Sequence, residues 1–290
     1  MRRRELHDAP LADRVAVEQR LWDKVRDETF VDRSLLQLTH PTYESFFTAY
    51  PEYRYVYEFF GPSVGGRRIL EVGCGAGVVS VALANSGAQV VAVDVSSSAL
   101  RVTRERAAYF GVADRVSTIQ SPAELLDFPA HSFDLFFAKS VVHHLIIDEV
   151  MPRIYRFLVP GGRGAIFEPQ SNPLLDFART HLPYPGKVGE EHGTDEFFTP
   201  AMIRDILGHF DYGDFREFRL LGMFWKFLVA PGHGFEARLR QERWVSQYRR
   251  VVDPIDDALL RLAPPLRRLA QTVVLRLGRR SAELPAAAVP

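Results

Sequence analysis

The chain has 290 residues, 47% hydrophobic and 25% charged, with 36 basic residues against 36 acidic ones. That suits one elaborated globular domain, and a formal net charge of zero supplies no overall field to draw in nucleic acid. A single cysteine, Cys74, excludes an internal disulfide and a cysteine metal cluster, no signal-type apolar run follows Met1-Arg2-Arg3-Arg4-Glu5, and no stretch reaches ~18 apolar residues, so a cytoplasmic protein without a membrane span is expected.

Residues 1–64 read as an N-terminal helical cap. Val15, Val17, Leu21, Trp22 and Val25 recur at helical spacing over Leu11 to Asp27. His40-Pro41 breaks the chain, and a short helix over Tyr43 to Tyr50 carries Phe46 and Phe47. Pro51 to Phe60 is dense in aromatics: Tyr53, Tyr55, Tyr57, Phe59 and Phe60. These rings either wall a substrate pocket or pack the cap onto the core.

Arg68 to Val72 reads as a short buried strand. Gly73, Gly75 and Gly77 alternate with Cys74 and Ala76, and Val78 to Ser86 reads as a helix. Strand, glycine turn, helix opens a nucleotide-binding α/β unit, because the turn needs backbone angles closed to other residues and an approach free of Cβ atoms. The helix start adds unpaired amides and a partial positive charge. Val78 stands where the dinucleotide fingerprint needs a further glycine, which disfavours a nicotinamide cofactor. A second strand, Gln89 to Val93, ends at Asp94, where a carboxylate can accept both hydroxyls of a ribose. Glu71 adds a second acid. Ser97 to Phe110 is a helix with Ser96 or Ser97 as N-cap and Gly111 as its stop. Strands follow at Val116 to Gln120, Ser132 to Phe137 and Gly164 to Phe167. The alternation predicts a parallel sheet with helices on both faces.

Glu71-Val72-Gly73-Cys74-Gly75-Ala76-Gly77, then Val91-Ala92-Val93-Asp94-Val95-Ser96, Phe128 to Leu135 with Val141-Val142-His143-His144-Leu145, and Leu158-Val159-Pro160-Gly161-Gly162 fall in one order and spacing. In these, the chain resembles the class I S-adenosylmethionine-dependent methyltransferases, over roughly Gly65 to Phe167. The resemblance implies a Rossmann-like, seven-stranded, mostly parallel α/β sheet with helices on both faces. It also implies S-adenosyl-L-methionine as cofactor, held by Glu71, Gly73, Gly75, Gly77, Asp94, Val95, Ala123, Glu124, Ala138 and Lys139. Ser121 and Pro122 depart from the family pattern, where an aspartate often stands. Asn/Asp-Pro-Pro-Tyr of nucleic-acid methyltransferases is replaced by Ala138-Lys139-Ser140-Val141.

Two groups are candidate bases. An imidazole near neutral pH can take a proton, and of the adjacent pair His144 is preferred over His143; on a helix start the two would point about 100° apart, so that one faces a given ligand. Glu168 ends the fifth strand, on the side where open α/β sheets bind ligands. Residues 169–200 are irregular and read as a substrate loop or lid carrying His181, Tyr184, Glu190, Glu191, His192 and Asp195, with no metal-binding spacing. Thr199-Pro200 opens a helix. Phe215 to Leu221 and Phe224 to Val229 suit the last two strands, closing the core at 65–230.

Residues 231–290 then read as a basic helical extension, with eleven arginines against five acids over positions 236–280. Leu266, Leu269, Ala270, Val273 and Leu277 recur at helical spacing. Such a helix packs on the core or on a second copy in a homodimer, or contacts an anionic membrane peripherally. The expected activity is methyl transfer to a small-molecule or lipid-like metabolite of specialised metabolism, O-methylation before C- or N-methylation. The alternatives are a cyclisation or rearrangement that keeps the cofactor as a fixed charge, and a non-catalytic scaffold.

Overall fold

The computed structural model describes residues 10–29, 33–37, 41–170, 198–224 and 235–281. Helix α1 (Leu11–Thr29) comes first, followed by α2 (Tyr43–Phe47) and α3 (Pro51–Phe60). The α/β core runs β1 (Arg68–Val72), α4 (Val78–Asn85), β2 (Gln89–Asp94), α5 (Ser97–Tyr109), β3 (Val116–Gln120), β4 (Phe133–Lys139), α6 (Ile147–Phe157) and β5 (Leu158–Pro169). Then come α7 (Pro200–Gly208), β6 (Tyr212–Phe218), α8 (Phe235–Leu262) and β7 (Thr272–Gly278). The seven strands lie in the order β3-β2-β1-β4-β5-β7-β6. The first five pair in parallel, and β7 runs antiparallel to both β5 and β6.

The sheet is covered on both faces, so its central strands are apolar without alternation. One face packs α2, α3 and α4 through Phe47, Tyr53, Val56, Phe60 and Leu83; the other packs α6 and α7 through Met151, Ile154, Phe157, Ile203 and Ile206. The aromatics before the glycine turn mostly serve the first face. Phe47 meets Phe137 edge-on, and Tyr53 stacks on Phe167 at 5.0 Å.

The seventh strand is Thr272–Gly278, so the sheet extends beyond residue 230. Residues 225–229, expected as a strand, lie outside the described residues, as do 171–197 of the expected lid. The helical spacing read across Leu266 to Leu277 misled for a physical reason: Thr272 to Leu275 are all buried. A strand covered on both faces cannot be told from a helix by periodicity, and the β-branched run Thr272-Val273-Val274 was the better guide. The extension is therefore a helix followed by a strand of the core sheet.

Helix α8 is fastened to the core by charge. Glu52 on α3 is fully buried. It accepts two hydrogen bonds from Arg249 of α8, at 2.8 and 2.7 Å, and others from Arg219. Asp256 accepts from the amides of Leu220, Leu221 and Gly222 at 3.0, 2.7 and 2.8 Å. Among the described residues, no helix is long and apolar enough to cross a membrane.

Candidate active site

The carboxyl ends of β1, β2 and β4 open into a cavity of about 1180 Å³, above the upper end of ordinary single-ligand pockets, ~1000 Å³. Its floor is the glycine turn, and Asp94, Val95, Glu124, Lys139, His143 and His144 also line it. Helix α1 forms one wall through Arg14, Glu18, Trp22 and Arg26; α8 adds Leu239, Val245 and Arg250.

Close packing fixes the turn. A Cβ on Gly73 would lie 2.7 Å from Val141, and one on Gly77 would lie 2.7 Å from Thr103; both glycines have positive φ, 72° and 69°. The amides of Gly73 and Cys74 are tied to the Val93 carbonyl at 2.8 and 3.0 Å, which locks the turn to the end of β2. The Asp94 carboxylate receives the Gly75 amide at 2.9 Å and the Ser96 amide at 2.9 Å. Burial pushes its pKa above the ordinary aspartate value, and the backbone donors with nearby Arg26 pull it back. A carboxylate offers about four acceptor positions, so two backbone bonds leave room for a vicinal diol.

Glu71 is buried behind the turn and receives the Ser80 hydroxyl. Burial raises its carboxyl to about 8, with Asp94 adding to the rise and the Ser80 bond and Lys139 opposing it. Glu124 is also buried and accepts the Ile146 amide at 3.1 Å. Lys139 places its ammonium over the rings of Tyr53 and Phe167, at 5.3 and 5.5 Å. Ala123 and Ala138 are not brought to the cavity: both lie in the apolar cluster beneath it. Alternation along β4 turns Ala138 inward and leaves Lys139 at the mouth.

The two candidate bases are arranged differently from expectation. Glu168 is fully buried and does not line the cavity. Its Oε1 accepts the amides of Val141 and Val142 at 2.9 and 2.7 Å, and its Oε2 lies 2.6 Å from Nδ1 of His143. The carboxylate holds the loop after β4 and aims His143. Val142–His144 forms a single 3₁₀ turn rather than a helix start. Both imidazoles line the cavity, with ring centroids 3.9 Å apart. His144 leans towards α1: its Nδ1 is 3.4 Å from Glu18, and its carbonyl accepts from Arg14 at 2.6 Å.

Helix α1 was legible as amphipathic, yet its polar contacts were not. Asp23 accepts the Ser98 amide at 3.0 Å and the Ser96 hydroxyl at 2.6 Å, so it shares the capping of α5 with Ser96. No group of three or more histidine, cysteine, aspartate or glutamate side chains that could hold a metal ion occurs among the described residues.

Residues 69–162 match a family model described as a methyltransferase domain. A curated relative, methyltransferase GfsG of Streptomyces halstedii, is 38% identical over 117 residues, covering 40% of this chain and 42% of that protein. The chain thus spans less than half the length of this relative. Among solved structures, the [4+2]-cyclase SpnF superposes with a TM-score of 0.56 at 16% identity, over 91% of this chain and 95% of that one. The geranyl diphosphate C-methyltransferase from Streptomyces coelicolor, solved with S-adenosyl-L-homocysteine, gives 0.53 at 12% identity, over 78% and 77%. These two share the fold. Residues 69–162, with the glycine turn and Asp94 they contain, are thus similar to a methyltransferase domain of the class I S-adenosylmethionine-dependent type.

Proposed function

We propose that the chain binds S-adenosyl-L-methionine at the glycine turn and methylates a hydroxyl of a small-molecule or lipid-like metabolite in the adjoining part of the cavity. The observation that carries this reading is that Asp94, the bare turn and a carboxylate-backed histidine line one cavity.

The residues fit the cofactor. Asp94 is half-buried and already fixed by backbone donors, so it accepts ribose hydroxyls with little further ordering. Gly73 and Gly75 let the chain approach a ligand closely. Val95, Pro122 and Glu124 border the space beside β2 and β3 that suits the adenine, while Glu71 and Lys139 border the amino-acid part. When bound, the cofactor supplies an electrophilic methyl group on a sulfonium.

His143 takes the proton from the acceptor. Glu168 accepts from its Nδ1–H, which fixes the tautomer and makes Nε2 the basic nitrogen. The resulting imidazolium is stabilised by the same carboxylate. Lys139, Phe46, Tyr50 and Tyr53 form the acceptor's wall, and α1 and α8 exclude water.

The test is incubation with S-adenosylmethionine labelled on its methyl group and a panel of hydroxylated aromatic and polyketide-like metabolites. Label that sits on an O–CH3 carbon by 13C NMR and is released as methyl iodide by hydriodic acid supports O-methylation. Consumption of an acceptor with no label transferred supports the cyclisation or rearrangement reading instead.

A further inference from the structure

Arg26, on the inner face of α1, has no role in the reading above. It lines the cavity directly over the glycine turn: a Cβ built on Gly75 would meet its Nη2 at 3.1 Å. The head group is largely sequestered, and its Nε is buried with no hydrogen-bond partner among the described residues. Its Cζ lies 5.7 Å from the Trp22 ring, and the Arg106 guanidinium is close enough to repel it. An arginine held inside a cavity with an orphaned donor is costly unless something accepts from it. Burial lowers its pKa, and Asp94 offsets part of that. Asp94 is committed elsewhere, to the amides of Gly75 and Ser96 and, on the proposed reading, to the ribose.

We infer that Arg26 is the anion-binding residue of the cofactor site, and that its guanidinium takes the α-carboxylate of the cofactor's amino-acid tail. The inference rests on the proposed cofactor reading and adds a residue from outside the α/β core. The chemistry is specific. The tail ends in a carboxylate, and the planar fork of a guanidinium matches one with two parallel hydrogen bonds. Lys139 also reaches the amino-acid part, but its ammonium is held over the Tyr53 and Phe167 rings, and Arg106, close to Arg26, does not line the cavity. Arg14 is spent on the His144 carbonyl. Of the cations lining the cavity, Arg26 is the one seated over Gly75, so it is placed to take the carboxylate, and the carboxylate satisfies the buried Nε side of Arg26. Helix α1 becomes part of the cofactor site, kept in place independently by Asp23 on the start of α5.

Binding calorimetry with two ligands tests this without any turnover. S-adenosylhomocysteine carries the amino-acid tail; 5′-methylthioadenosine has the same nucleoside and lacks it. Arg26→Met is expected to weaken S-adenosylhomocysteine by roughly 10- to 100-fold, the range for charge-assisted hydrogen bonds, and methylthioadenosine by less than about 3-fold. Arg26→Lys, which keeps the charge without the fork, should fall between wild type and Arg26→Met for the first ligand alone. Equal losses for both ligands, or no loss for either, would overturn the assignment. Wild-type protein that binds methylthioadenosine as tightly as S-adenosylhomocysteine would also overturn it, while leaving the nucleoside site standing. Wild-type protein that binds neither would remove the cofactor reading itself.

Discussion

On the proposed reading the chemistry depends on His143, whose Nδ1 lies 2.6 Å from Glu168, rather than on His144, whose Nδ1 lies 3.4 Å from Glu18. Glu168→Gln keeps an acceptor for the Val141 and Val142 amides but presents an amide N–H to His143, which forces the other tautomer and removes the basic Nε2. Turnover should fall about 100-fold or more in both Glu168→Gln and His143→Ala, with smaller losses in His144→Ala, measured as initial rates on whichever acceptor the label screen yields. Rates ranked the other way would return the role to His144. A second residue-scale prediction concerns Glu71. Its folded pKa, about 8, lies above the ordinary 4.5, so the folded protein holds a proton that the unfolded chain has released. Its contribution to stability therefore declines as pH rises from about 4.5 to about 8. Glu71→Gln should flatten that decline in urea titrations of cofactor-free protein at pH 5, 6.5 and 8; an unchanged slope would show that Glu71 is not protonated. The placement of the glycines, Asp94 and Glu71 at one turn was legible because it is written in local backbone geometry. The contact that backs His143 was not legible, since it spans 25 positions to Glu168. Arg26 looked like any arginine on the polar face of an amphipathic helix.

At the scale of elements, the site is assembled by two helices clamped onto a sheet. Asp23 joins α1 to the start of α5, and Glu52 joins α3 to α8 through Arg249. Burial alone would raise the Glu52 pKa, but Arg219 and Arg249 outweigh it and hold the carboxyl at about 2. With a depressed folded pKa, the stabilisation is fully present above about pH 4.5 and is lost as pH falls towards 2. Glu52→Gln leaves two arginines facing a neutral group in a buried setting, and should cost about 3–5 kcal/mol by denaturant unfolding at pH 7. A cost under about 1 kcal/mol would mean that α8 is held by its apolar contacts. The arginine excess of the C-terminal segment was plain from the sequence, but its use was not. Arg249 is buried against Glu52 and over the Tyr50 ring at 4.1 Å, whereas Arg250, the next residue, faces the cavity rim. Only the helix's orientation separates them.

For the whole molecule, the C-terminal segment completes the fold. β7 lies between β5 and β6, with Val273, Val274, Leu275 and Leu277 fully buried. A chain ending at Ala263 would leave β5 and β6 without their shared neighbour and expose the apolar faces above and below. Such a truncation should give aggregated or unfolded protein by circular dichroism and size-exclusion chromatography; a folded, monodisperse product would mean that β7 is dispensable. The α/β order from β1 to β5 was readable because strands, glycines and caps recur in a regular alternation. The return of the chain to the sheet after a 28-residue helix was not, because a seven-residue buried strand carries no period of its own. The described residues thus line a large cavity, walled by α1 and α8, whose floor is the glycine turn and Asp94. The most direct measurement is calorimetric titration of S-adenosylmethionine into wild-type protein and into Asp94→Asn. Saturable one-to-one binding by wild type, weakened at least about 10-fold by the substitution, is the expected result; no binding by wild type, or equal binding by both proteins, would contradict it.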